Sequence, residues 1–128
     1  MTDKLMRCAT HILDSASNLL HNADDAILTP PQLKSICALH DVAERLMQEC
    51  EQLQADPLPD AILRVEHRLR NTLTSLRGYS KFLASERMGP LSREQHLDLL
   101  RIEDGITDFI IALDKEMVKA APGATAVA

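Results

Sequence analysis

His67 stands in the stretch VEHRLRNTLTSLRGYSKFL, Val65 to Leu83, with Arg68 and Arg70 close by and Asn71, Thr74, Arg77 and Gly78 following. An exposed imidazole keeps a neutral nitrogen near pH 7 and can attack an electrophile, while neighbouring guanidinium groups can hold phosphate oxygens. That combination points to a phosphoacceptor. His67 lies two residues from Leu69, about 200° around a helix from the apolar stripe, so it should face outward. Residues 67, 70, 71, 74 and 78 then share one polar face, which ends in a side-chain-free patch at Gly78. A mid-helix glycine costs about 1 kcal/mol relative to alanine. It points to close approach by a partner or a neighbouring helix, or to a tolerated accident.

The remaining chemistry-bearing residues are less pointed. His11, His21, His40 and His96 lack such a neighbourhood; His11 with Asp14 and His40 with Glu44 are spaced for ordinary surface contacts, and no metal or other cofactor is expected. Cys8, Cys37 and Cys50 are odd in number, form no CxxC pair and sit in apolar-periodic segments. They read as buried small hydrophobes in a reducing cytoplasm. The acidic residues of MQECEQLQAD and RIEDGITD read as solvated helix faces. A formal net charge of −5 and only three aromatics argue against nucleic acid as a partner. No apolar run approaches the roughly 18 residues of a membrane span, and the first twenty residues carry no leader-like apolar core.

The elements that must position His67 follow from the breakers. LTPPQ at 28–32, ADPLPD at 55–60 and MGPLS at 88–92 divide the 128 residues into four segments. Each has about 25 residues, or roughly 38 Å as a helix. Apolar residues make up 45% of the chain and aromatics 2%, so the interior must be built of Leu, Ile, Ala, Val and Met. Each segment has a stripe at three- and four-residue steps. The first is Leu5, Cys8, Ile12, Ala16, Leu19, Ala23, and the second Leu33, Ile36, Leu39, Ala43, Leu46, Cys50, Leu53. The third is Ile62, Val65, Leu69, Leu73, Leu76, Ser80, Leu83, and the fourth Leu99, Ile102, Ile106, Phe109, Leu113, Met117. Four stripes joined by short loops predict an all-α antiparallel bundle of two tandem helical hairpins. Residues 1–56 form the first, 57–119 the second with His67, and 120–128 a disordered tail of small residues.

The halves also echo one another at an offset of 63. Thr29-Pro-Pro-Gln32 matches Ser92-Arg-Glu-Gln95, each a capping box. Ile36, Leu39, Ala43 and Leu46 fall on Leu99, Ile102, Ile106 and Phe109, while Leu13 and Leu20 fall on Leu76 and Leu83. Lys4 would be the counterpart of His67. Two hairpins of equal length can align in this way without being related.

The segment His67-Arg-Leu-Arg-Asn-Thr-Leu73, then TSLRGYSKFL, then GPLSREQHLDLLRI, resembles the dimerisation and histidine-phosphotransfer domain of bacterial sensor histidine kinases. The resemblance spans roughly Ala61 to Met117, and the H-R-x-x-N pattern is similar to the box of the HWE-type subfamilies. It implies that His67 is the phosphorylated residue. Arg68 stands where many members carry the acid that helps to take the proton, and Asn71 matches the position that orients water against an aspartyl phosphate. Arg70, Leu73, Thr74, Arg77 and Gly78 would meet a response-regulator receiver domain. Thr72 replaces the proline that bends the family's helix.

No Gly-rich nucleotide loop, Asn box or D-x-G-x-G follows residue 117, so autonomous kinase activity is not expected. The chain would instead pass a phosphoryl group between His67 and a receiver aspartate, or accept it from a separate histidine kinase. The alternatives are a non-catalytic kinase-like module that binds a receiver or kinase, and the dimerisation segment of a longer signalling protein. Because the family's domains pair across two chains, a homodimer is expected, with a monomeric pseudo-dimer as the other solution.

Overall fold

The computed structural model describes residues 3–22 and 28–120. Four helices follow one another: α1 Asp3–His21, α2 Pro30–Ala55, α3 Ala61–Ala84 and α4 Arg93–Ala120. Helices α1 and α3 each pack against both α2 and α4, which closes the four into an antiparallel bundle. Of the tail expected to be disordered, Ala120 ends α4, and 121–128 lie outside the described residues, as does Ala23.

Local chemistry sets the helix starts. Thr29 N–H donates to Gln32 Oε1 at 2.8 Å and Gln32 N–H donates to Thr29 Oγ1 at 3.3 Å, a reciprocal box at the head of α2. Ser92 and Gln95 repeat it at the head of α4, at 2.7 and 3.1 Å. Pro30 and Pro31 occupy the first turn of α2, where a missing N–H costs nothing. The first box also grips the other hairpin: Thr29 Oγ1 donates to the Met88 carbonyl at 2.8 Å and Gln32 Nε2 to the Pro90 carbonyl at 3.1 Å. Gly89 lies between those carbonyls with φ +146°, and a Cβ there would sit 2.9 Å from Gln32 Nε2.

One core joins all four helices, with Phe109 among its largest fully buried side chains. The stripes are buried largely as their spacing predicts, with instructive departures. Leu33 is 44% exposed and its neighbour Gln32 is buried instead, because the amide is needed across the loop at Pro90. Val65 and Met117 are half-buried edges of their stripes. Cys8 and Cys50 are buried, but Cys37 is exposed, one residue off the stripe position of Ile36.

Burial also sharpens the internal echo. All nine buried residues of α2 fall on buried residues of α4 at the offset of 63, from Gln32 on Gln95 to Leu53 on Glu116. For α1 and α3 the offset is 64: Leu5, Cys8, Ala9, Ile12, Ala16 and Leu19 fall on Leu69, Thr72, Leu73, Leu76, Ser80 and Leu83. The pairings of Leu13 with Leu76 and Leu20 with Leu83 are therefore out by one residue, and Leu13 and Leu20 are only half-buried. Between equivalent core positions, the path from Leu83 to Gln95 is one residue shorter than that from Leu19 to Gln32. Asp3, not Lys4, stands at the position equivalent to His67.

Candidate functional site

Helix α3 runs unbroken through His67 and on to Ala84, with no proline along it to interrupt the backbone ladder. His67, Arg68 and Asn71 are all exposed, and Leu69 between them is fully buried, so the stripe does aim the histidine at solvent. Thr72 points the other way. Its Oγ1 lies 2.7 Å from Glu49 Oε1 on α2 and 3.0 Å from the Arg68 carbonyl. Glu49 is only 6% exposed, so this acid belongs to a buried seam rather than to the solvated face expected of it. Asp98 and Glu116 are likewise buried.

Downstream of His67, a groove of about 450 Å³ runs between α3 and α4. Arg70, Leu73, Thr74, Arg77 and Gly78, the five residues singled out for partner contact, all line it, together with Lys81 and Ile110. Leu73 is buried and forms the floor. A Cβ on Gly78 would meet nothing within 4 Å, so no neighbouring helix of this chain requires the glycine. Lys81 escaped the sequence reading although it lies two heptads from His67, through Thr74. Ile110 escaped it because it borders the stripe residue Phe109 and is only half-buried.

The arginines divide into two kinds. Arg70 donates from Nε to Glu66 Oε2 and from Nη2 to Asp114 Oδ1, both at 2.6 Å, and these bonds, Asp114 first, raise its pKa further. Arg77 Nε lies 3.5 Å from Glu103 Oε2. Arg70 thus ties α3 to α4 instead of standing free to grip a phosphate, as its place beside His67 had implied. Neither Arg68 nor Lys81 forms an ion pair among the described residues.

Charge is segregated by helix. Helix α3 has five Lys or Arg against Glu66 alone, a net +4 in a chain of net −5. Helix α4 sets four basic against seven acidic residues, a net −3, and α2 two against four, a net −2. At the offset of 64, the groove cations Arg70, Arg77 and Lys81 fall on Met6, Leu13 and Ser17 of α1. The repeat preserves the core and not the cationic face. On α2, His40 Nδ1 lies 2.9 Å from Glu44 Oε1, the surface pair their spacing predicts, with Ser17 Oγ 3.3 Å from Nε2.

No family model matches the chain, and the searches of curated proteins and of solved structures likewise find no match.

Proposed function

We propose that this chain is a histidine phosphotransfer module in which His67 exchanges a phosphoryl group with the aspartate of a response-regulator receiver domain. The observation that carries the reading is the coincidence of three features on one face of α3: an exposed imidazole, a groove beginning one turn beyond it, and a net +4 on the helix that presents both. The bundle supplies rigidity, which holds the imidazole for in-line attack once a partner is aligned.

In the forward step a neutral His67 nitrogen attacks the phosphorus of the receiver's aspartyl phosphate. An N–P bond forms, the P–O bond to the aspartate breaks, the carboxylate leaves, and the proton on the other ring nitrogen is released to solvent. The reverse step returns the phosphoryl group to the aspartate. Arg68, exposed and without an ion pair among the described residues, is the guanidinium available to the transferred phosphate. Asn71, exposed one turn beyond His67, would hydrogen-bond water at the same phosphate. No cofactor enters this reaction from the chain itself.

Most described positions of all four apolar stripes are buried within one chain, which favours a single-chain pseudo-dimer over pairing of two copies. Light scattering tests this: a mass near 14.2 kDa fits the single chain, and twice that value fits the homodimer. No helix among the described residues is long and apolar enough to cross a membrane. The reading places the module in the cytoplasm, where receiver domains act.

The test is phosphotransfer. Purified chain is mixed with phosphorylated receiver domains encoded in its genome, and acid-labile phosphate is sought on His67 by mass spectrometry. Label on wild type and none on His67→Ala supports the reading. Receiver binding with no label on His67 supports instead the non-catalytic module, which the pairing of Arg70 with its own carboxylates favours.

A further inference from the structure

We infer that Lys81 is the residue by which this face selects its protein partner. It meets a carboxylate on the partner, while an apolar partner side chain seats over Gly78 against Leu73 and Ile110. The inference rests on the phosphotransfer reading of His67 and adds the recognition chemistry to it.

Charge accounting isolates Lys81. The groove offers three cations, but Arg70 is held by Glu66 and Asp114 at 2.6 Å each and Arg77 Nε faces Glu103 at 3.5 Å. A partner's carboxylate would have to displace acids of this chain to use either. Lys81 is exposed and forms no ion pair among the described residues, so it can take a new carboxylate without such competition.

Position then decides what Lys81 can read. It lies 14 residues beyond His67 on the same helical face, about 21 Å along the axis. Screening at physiological salt acts over about 8 Å, so Lys81 has little influence on a small phosphodonor at His67. A protein footprint of about 800 Å² covers both positions at once. Lys81 therefore distinguishes protein partners from one another and leaves the intrinsic reactivity of His67 alone.

Gly78 supplies the second half of the recognition. It lies between His67 and Lys81 on the groove, and open space surrounds the position a Cβ would take. Leu73 and Ile110 beside it are the only large apolar side chains in the lining. A small apolar side chain on the partner can come to rest on the bare α3 backbone there, between the two charged ends of the face.

The experiment uses the full chain labelled on His67 with phosphoramidate. In that reaction the imidazole attacks phosphorus and ammonia leaves, without any protein partner. Transfer of the label to each receiver domain of the genome is then timed. Lys81→Glu is expected to slow transfer to the preferred receiver at least tenfold and to flatten its salt dependence, while labelling by phosphoramidate stays within twofold of wild type. Gly78→Leu should also slow transfer in a chain that remains helical. Lys115→Glu, the same charge change on exposed α4, should leave transfer unaltered. Equal rates for Lys81→Glu and wild type, or equal slowing by Lys81→Glu and Lys115→Glu, would overturn the assignment while leaving phosphotransfer intact. Failure of the labelled wild type to transfer to any receiver overturns both.

Discussion

Thr72 Oγ1 lies 2.7 Å from Glu49 Oε1 across the buried α2–α3 seam, directly behind the surface that presents Arg68 and Asn71. Thr72→Val should remove this partner and leave the Glu49 carboxylate buried without it, at a cost of about 1–3 kcal/mol. Urea unfolding measures the loss. Replacing both residues together, Thr72→Val with Glu49→Leu, should recover most of it, because no orphaned acid remains.

The three described mid-chain glycines should respond to alanine in opposite directions. Gly78→Ala meets open space and should stabilise the helix by roughly 0.5–1 kcal/mol. Gly105→Ala would place Cβ 2.6 Å from Ile12 Cγ1 at the α1–α4 contact, and Gly89→Ala meets both a φ of +146° and the Gln32 amide. Each of those should destabilise by about 1–3 kcal/mol. Thermal melts of the three variants should rank Gly78→Ala above wild type and the other two below it.

Arg68 and Arg70 should separate function from stability. Arg68→Ala is expected to leave the unfolding midpoint unchanged and to reduce phosphate on His67 about tenfold. Arg70→Ala should lose its ties to Glu66 and Asp114 and cost about 1 kcal/mol, a value suited to partly exposed pairs. Paired chemical denaturation and labelling measurements check both.

Thiol reactivity should mark out Cys37. It is exposed, whereas burial raises the Cys8 thiol and pushes Cys50 up to about 12, with Glu49 adding to the latter. At pH 8 a disulfide reagent should titrate one thiol within seconds to minutes and the other two only at the rate of unfolding.

Two carboxylates should pull the pH dependence of stability in opposite directions. His96 first, and then the Leu91 amide, hold Glu86 below its ordinary range. A group depressed on folding stabilises above its unfolded pKa, about 4.3, and that contribution is lost as pH falls through the folded value. Burial raises Asp98, only partly offset by Arg101. Its ionisation opposes folding, increasingly as pH rises through the interval between its unfolded and folded pKa. His96→Ala should move Glu86 upward, which carboxyl NMR titration reads, and Asp98→Asn should remove the opposing term, which urea unfolding across pH reads.

The helices and nearly all of the core were legible in the sequence because breakers and apolar spacing are local signals. Gln32 and Leu33 were exchanged at the stripe's edge because the deciding contact, Pro90, lies 58 residues away. Glu49 looked solvated for the same reason: Thr72 satisfies it from another helix. The outward aim of His67, with Arg70, Thr74 and Gly78 on its face, followed from periodicity on a single helix, whereas Leu73 and Arg77 were named for partner contact only through the resemblance. The pairing that takes Arg70 out of play, while Lys81 forms no ion pair among the described residues, depends on α4, so spacing on α3 alone could not divide the cations into two kinds.

A cationic α3 bordered on both sides by net-acidic helices has a consequence for shape. A broad anionic surface approaching this side would meet α2 and α4 as well and be repelled at its margins. A narrow anionic ridge, about one helix wide, escapes that repulsion. On such a charge pattern, how negative charge is distributed across an approaching surface matters, and not merely how much of it there is.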